Sequence, residues 1–129
     1  MAVFTLDGVT YDVLVPRKGI KRSGKILDGD NAGRNKPGDM IRDIIGTYYN
    51  YSMQIDTSRL NAAAYDQLYE ALTAPVDSHT LTVPYGQGTI TFEAYIANVD
   101  DTLDLMEDTR NLWGELTVNF VAMSPYRTP

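Results

Sequence analysis

The sequence predicts a mostly β (α+β) domain in which two antiparallel sheets pack as a sandwich or partial barrel. One flanking α-helix is expected over about residues 61–73 and a long loop over about residues 28–43. Three observations carry this. Apolar and polar side chains alternate with period two in several separate segments, the signature of half-buried strands. Gly and Pro cut the chain into short pieces. Only one segment has helical periodicity. At 129 residues the chain fits a single domain over 1–129, long enough to bury a core without disulfide or metal staples.

The elements follow in order. Val3–Leu6 and Val9–Val15 flank Asp7-Gly8, a two-residue turn signal, and form an N-terminal hairpin closed by Pro16. Ile20–Leu27 is a further strand, weakened by its basic residues. Asp28–Gly38 consists almost wholly of turn formers and reads as a long exposed loop, a common seat of function. Met40–Ile45 leads into the clearest strand. There Ile45, Thr47, Tyr49, Tyr51, Met53 and Ile55 face one way, and Gly46, Tyr48, Asn50, Ser52, Gln54 and Asp56 the other. Asn61–Thr73 is rich in helix formers, with Ala64, Leu68, Ala71 and Leu72 in one stripe and Tyr65 and Tyr69 beside it. Thr57, Ser58 and Asn61 are the candidate N-caps, Asn61 the favoured one with Leu60 packed just outside, and Ala74-Pro75 ends the helix. His79–Tyr85 and Thr89–Val99 flank Gly86-Gln87-Gly88 as a second hairpin. Leu81, Val83, Ile90, Phe92, Ala94 and Ile96 face inward. Asp100–Asn111 is expected as an acidic connection with about one helical turn. Leu112–Ala122 is the last strand, with Leu116, Val118, Phe120 and Ala122 inward.

Composition narrows the function. Zero Cys excludes thiol catalysis and Cys-based metal or iron–sulfur sites, and a single His leaves no His pair for a metal. No run of about 18 apolar residues marks a membrane-spanning helix. The start, Met1 to Asp7, lacks the charged and apolar regions of a signal peptide. The net charge of −6 argues against a dedicated nucleic-acid binder. The charge is also uneven. Residues 1–42 carry eight basic and five acidic side chains, the remainder three basic and twelve acidic. Two such segments complement each other between copies, or are simply solvated.

Several motifs are present only in part. Gly19-Ile-Lys-Arg-Ser-Gly24-Lys25 begins like a phosphate-binding loop, but Ile26 stands where Ser or Thr should hold magnesium, and Asp28-Gly29 blocks the following helix. Asp28, Asp30 and Asp39 echo a calcium loop, but Ala32 at its position five offers no carboxylate or amide, Asp39 is shorter than the usual Glu, and no helices flank it. His79 between Ser78 and Thr80 has no nucleophile-elbow context and reads as a solvent-facing strand-start residue. Asp100-Asp101 resembles a glycosidase pair in composition only. The residues thus define no catalytic group, cofactor or metal. Nine Tyr, three Phe and Trp113 are many for this length, and Tyr48, on the face opposite the core, suits a protein interface.

One set of residues is familiar. Gly33-Arg34-Asn35 followed by Gly38-Asp39-Met40-Ile41-Arg42-Asp43 resembles a motif of small tail structural proteins of long-tailed (siphovirus-type) phages and prophages of Gram-positive bacteria. Further segments line up in the same order: the strand Tyr49–Ile55; Tyr65-Asp66-Gln67-Leu68-Tyr69-Glu70-Ala71-Leu72 leading into Pro75; Val83-Pro84-Tyr85; Phe92–Tyr95; and Trp113-Gly114-Glu115-Leu116-Thr117-Val118-Asn119-Phe120. The resemblance spans about residues 1–125, with the Gly/Arg/Asp loop and the Trp strand its specific parts. It implies a tail-tube-like fold and a non-enzymatic structural role in tube, terminator or tail-tip/baseplate. The partners it implies are copies of the same chain in rings, often hexamers, and other tail proteins, without sequence-specific nucleic acid or membrane. The implied place is the virion tail, after synthesis in the bacterial cytoplasm. The assembly residues expected on this basis are Arg34, Asn35, Asp39, Met40, Ile41, Arg42, Asp43 and Tyr48. In such a ring the basic stretch 17–42 meets acidic residues 100–108 of a neighbour, and acidic residues facing a channel repel DNA. The alternative is a tail-tip module that contacts a host carbohydrate or receptor, with surface Tyr and Trp113 stacking on sugar.

Overall fold

The computed structural model describes residues 4–129, so Met1, Ala2 and Val3, the expected first residue of the opening strand, lie outside the described residues. The chain is mostly β and antiparallel, with one helix. Strands β1 (Thr5–Leu6), β2 (Val9–Thr10) and β3 (Ile20–Asp28) are followed by the short β4 (Gly33–Arg34) and β5 (Met40–Ile41). Then come β6 (Ile44–Ile55), α1 (Ala62–Leu72), β7 (His79–Tyr85), β8 (Gly88–Met106) and β9 (Asn111–Ala122). Seven strands share one sheet in the order β2-β1-β7-β8-β9-β6-β3, and β4 and β5 form a separate two-stranded ribbon.

The expected layers are two halves of this one sheet, brought together by curling. Strands β7 and β6 lie three places apart, which in a flat sheet would separate them by about 14 Å. Yet the Tyr51 hydroxyl on β6 donates to the Pro84 carbonyl on β7 at 2.8 Å. The Tyr49 and Tyr85 rings meet edge to face at 5.2 Å, and the Tyr85 hydroxyl donates to that of Tyr49 at 3.1 Å. The result is a partial barrel. The long β8 makes the bend, pairing with β7 through Gly88–Ala94 and with β9 from Ala94 to Met106. Irregularities at Ile96/Asn98, Asp100/Thr102 and Leu103/Leu105 add twist along it.

The second half of β8 corrects the expected acidic connection. Asp100–Met106 is strand, pairing Thr102 with Gly114, Leu103 with Trp113 and Met106 with Asn111. The segment Leu103-Asp104-Leu105 alternates with period two, and the adjacent β9 supplies backbone partners that a lone helical turn would lack.

The hairpin turns follow their chemistry. Asp7 and Gly8 both adopt left-handed φ (53° and 80°), the geometry of a tight two-residue turn, and set the pairs Leu6–Val9 and Thr5–Thr10. Gly46 is buried because the C-terminal segment crosses it. A Cβ there would lie 2.6 Å from the Pro125 Cβ, while the neighbouring Thr47 amide donates to the Arg127 carbonyl at 2.8 Å.

The core comes from inward positions of both halves. Tyr51, Met53 and Ile55 of β6, Leu81 and Val83 of β7, Ile90 and Ala94 of β8, and Leu116, Val118 and Phe120 of β9 are buried together with Phe4 and Leu6. Helix α1 adds Leu68 and Leu72, and its Tyr65 is buried alongside. Its N-cap is Asn61, whose side-chain oxygen accepts the Ala64 amide at 2.8 Å. Leu68 has no exposed surface. Leu68→Ala is therefore expected to lower unfolding free energy by about 3 kcal/mol, and Asn61→Ala by about 1 kcal/mol. Urea titration followed by circular dichroism measures both.

Candidate assembly site

Seven of the eight residues expected at an assembly surface lie on one small structure, the β4–β5 ribbon and its base. Its root is Asp28, whose carboxylate accepts Arg42 Nε on both oxygens (3.0 and 3.1 Å) and the Asp43 amide at 3.2 Å. The Gly29 amide donates to the Asp43 carbonyl at 2.7 Å, and the Asn31 amide to the Asp43 carboxylate at 3.3 Å. At the tip, Asn35 accepts the Asp39 amide on its side chain at 2.9 Å, and Arg34 Nη1 donates to the Gly38 carbonyl at 2.9 Å. Gly38 sits at φ +92°, a conformation that favours glycine.

The expected loop is thus an ordered hairpin extension of β3 and β6. The reason is local: Asn, Asp and Arg side chains supply hydrogen bonds that the sheet no longer offers. Met40 and Ile41 on it are exposed, as are Ile26, Leu27, Ile44 and Ile45 at its base. Tyr48 lies apart from the ribbon. It is half-buried on β6, paired across the strand with Lys25.

The acidic residues 100–108, expected to meet a neighbour's basic stretch, lie on a second surface. Beyond the β6–β9 pairing, which spans Leu116–Phe120, the β8–β9 hairpin continues alone as an arm over residues 100–115. Leu103, Leu105, Met106 and Trp113 are exposed on it, Met106 at 69%. The arm also carries six acidic side chains against one basic. Arg110 pairs with Glu107 at its turn at 2.8 Å, and the Asp104 carboxylate lies over Gly114, where any side chain would collide with it. Tyr65 ties the root of the arm to α1 by donating to Asp101 at 2.8 Å, and burial together with that carboxylate raises the Tyr65 phenol. Between arm and helix lies an open cleft of about 1180 Å³, lined by Leu60, Tyr65, Asp100, Trp113 and Leu116 among others. The alternation Leu103-Asp104-Leu105 was the signal that could have revealed this arm.

The two surfaces stand at opposite ends. In the antiparallel β6–β9 pair, Ile55 opposes Leu116, so the arm leaves beside the C-terminal end of β6 while the ribbon leaves from its N-terminal end.

The partial motifs resolve as backbone structure. Gly24 and Lys25 lie within strand β3, and the Asp28 carboxylate is held by Arg42. His79 corrects the solvent-facing expectation. It lies in phase with Leu81 and Val83, so period two turns it inward, and it is 5% exposed. Its Nδ1 is 2.6 Å from Asp7 Oδ2, and the Thr80 amide donates to Asp7 Oδ1 at 2.8 Å. The pair locks the first turn onto β7.

No protein-family model, curated protein or solved structure matches this chain.

The Asp7 pair sets a pH dependence. Burial acts to raise the Asp7 carboxyl, but hydrogen bonds from His79 and the Thr80 amide outweigh it and hold the group below the usual carboxylate range. A carboxyl lowered by folding adds stability above its unfolded value and loses it as pH falls through the folded value. Stability is therefore expected to fall below about pH 4, less steeply in Asp7→Asn. Some acid dependence persists through Asp56, lowered by the Ser58 amide, and Glu93, lowered by the Thr80 hydroxyl. Urea midpoints from pH 3 to 7 test this; identical acid limbs in the two proteins would exclude it.

Proposed function

We propose that this protein is a non-enzymatic structural subunit of a phage or prophage tail, a tube, terminator or tail-tip/baseplate component that works by assembling with copies of itself and with other tail proteins. One observation carries the reading: exposed large apolar side chains concentrate on the ribbon with its base and on the arm, two projecting ribbons at opposite ends of the fold. Isolated exposed apolar residues are ordinary, but clusters of this kind mark interaction surfaces. Mostly antiparallel strands with one flanking helix and the Gly33–Asp43 motif agree with the family resemblance. Contacts at opposite ends generate rings or stacks rather than isolated pairs. On this reading the ribbon is the reaching element, with Arg34, Asn35, Asp39, Met40, Ile41, Arg42 and Asp43, while Tyr48 lies apart from it on β6.

Replacing residues 30–41 with a short turn tests this, since the ribbon's hydrogen bonds are made largely within residues 28–43. Sedimentation and negative-stain microscopy at high concentration are expected to show assemblies for the intact chain, and at least tenfold weaker association for the shortened one. A strictly monomeric intact chain would sink the proposal.

A second reading, a tail-tip module for a host carbohydrate, draws on Trp113, which is 42% exposed and lines the arm cleft. Aromatic faces stack on sugar rings, and carboxylates accept their hydroxyls. Glycan-array binding that Trp113→Ala abolishes would favour it over assembly.

A further inference from the structure

Strand β3 is an end strand of the sheet, so among the described residues no strand covers its outer edge. An uncovered edge presents unpaired backbone N–H and C=O groups to any strand that fits. Residues 17–27 leading along this edge hold Arg17, Lys18, Lys21, Arg22 and Lys25 and not one acidic residue. All five are exposed, as are Ile26 and Leu27, and the strand ends at Asp28, whose charge is paired by Arg42.

The arm has a matching edge. Strand β7 pairs with β8 only as far as Ala94, so the same side of β8 from Tyr95 to Met106 carries no strand partner among the described residues. This edge bears Asp100, Asp101 and Asp104, and the turn beyond it Glu107 and Asp108. Leu103, Leu105 and Met106 are exposed along it. Each surface therefore offers free backbone, exposed apolar side chains and one dominant sign of charge, and the signs are opposite.

We infer that the acidic arm of one copy docks along the basic β3 edge of the next, a head-to-tail strand addition between copies of this chain; this rests on the assembly reading and names its contact. The occupant follows from charge. Two β3 edges repel each other, as do two arms, and only the mixed pair is attractive. The two edges lie on different strands, so one copy uses both at once and the contact propagates instead of closing as a symmetric pair. Within one molecule the arm cannot serve its own β3. From Lys25, paired with Tyr48, to Leu105, paired with Leu112, the path through Ile55–Leu116 spans eleven strand positions, roughly 35 Å.

The absence of Cys makes a direct test clean. Leu105→Cys is combined in turn with Lys21→Cys, Ser23→Cys and Lys25→Cys in the full chain, oxidised at high concentration and run without reductant. A disulfide needs Cα atoms within about 7 Å, and the β3 positions lie at least about 20 Å from Leu105 within one chain. A ladder of dimers, trimers and higher species from at least one double variant is expected; single variants stop at dimers. A second arm of the test reverses charge. Lys21→Glu/Lys25→Glu and Asp104→Lys/Asp108→Lys should each weaken association at least tenfold, and combining all four should restore it. Circular dichroism confirms that each variant is folded. Assembly of the intact chain with no ladder and no effect of either reversal overturns this contact while leaving assembly through the ribbon standing. A chain that is monomeric throughout and forms no ladder overturns both.

Discussion

The hydroxyl of Tyr51 reaching the Pro84 carbonyl is the constraint on which the architecture turns. It joins two strands that a flat sheet would hold apart, and so closes the space in which the core is built. Around it the Tyr49–Tyr85 edge-to-face pair, Tyr126 at 6.0 Å from Tyr49, and the Arg22 guanidinium 5.1 Å above the Tyr85 ring fill the mouth of the curl. These contacts combine apolar area with a polar tip, which suits a seam lying between core and solvent. With the seam closed, the inward residues of β7 and β6 face one another, and α1 places Leu68 and Leu72 in that core. Were the sheet flat, the same inward side chains would form a broad exposed apolar face.

Much of this was legible in the sequence because it depends on local periodicity. The alternation in Ile45–Asp56 located β6 and its buried Tyr51, Met53 and Ile55. The Asp7-Gly8 turn falls where expected, the expected Gly86-Gln87-Gly88 turn is one residue shorter because Gly88 pairs with Tyr85, and Asn61 caps the helix. The illegible parts depend on distant partners. Acidic residues hid the strand in Asp100–Met106, because propensity counts Asp against a strand while pairing with β9 decides the matter. His79 was misplaced by its polarity. Its phase with Leu81 was visible, but the compensating Asp7 lies 72 residues away in sequence. Ile44 and Ile45 were readable as apolar but not as exposed, since nothing local shows that β6 outruns the core. Seven of the eight residues expected at an assembly surface fall on one ribbon because a motif and a run of turn formers coincide there. Tyr48 was grouped with them by its chemistry, while the fold sets it farther along the strand.

The same dependence explains why the candidate surfaces are ribbons and not a pocket. A curled sheet consumes its inward side chains in one core and leaves long strands to run beyond it. Strand β8 has 19 residues, and its last portion extends past β6 with only β9 beside it. A two-stranded ribbon in water has little hydrophobic support of its own. Here the root is anchored by the Tyr65–Asp101 hydrogen bond and the turn by Arg110–Glu107, while Leu103 and Trp113 pair across the strands. The exposed ion pair adds little. The arm would gain most from a partner that covers its apolar face.

Free edges also carry a hazard that charge answers. A strand edge lined by apolar residues alone would join any other edge, its own copy included. Five cations leading along β3 and the carboxylates of the β8 arm suppress those like-with-like contacts without blocking the backbone groups themselves. In the proposed contact, the charge that keeps like edges apart is the charge that attracts unlike ones. Because these side chains are solvated, their attraction decays within about 10 Å at 0.1 M salt, so it acts at docking range and weakens as ionic strength rises. Backbone pairing and the coverage of Leu103, Leu105, Ile26 and Leu27 would then supply the part of the proposed contact that salt does not screen. In the proposed contact, the choice of orientation thus lies in which edges repel.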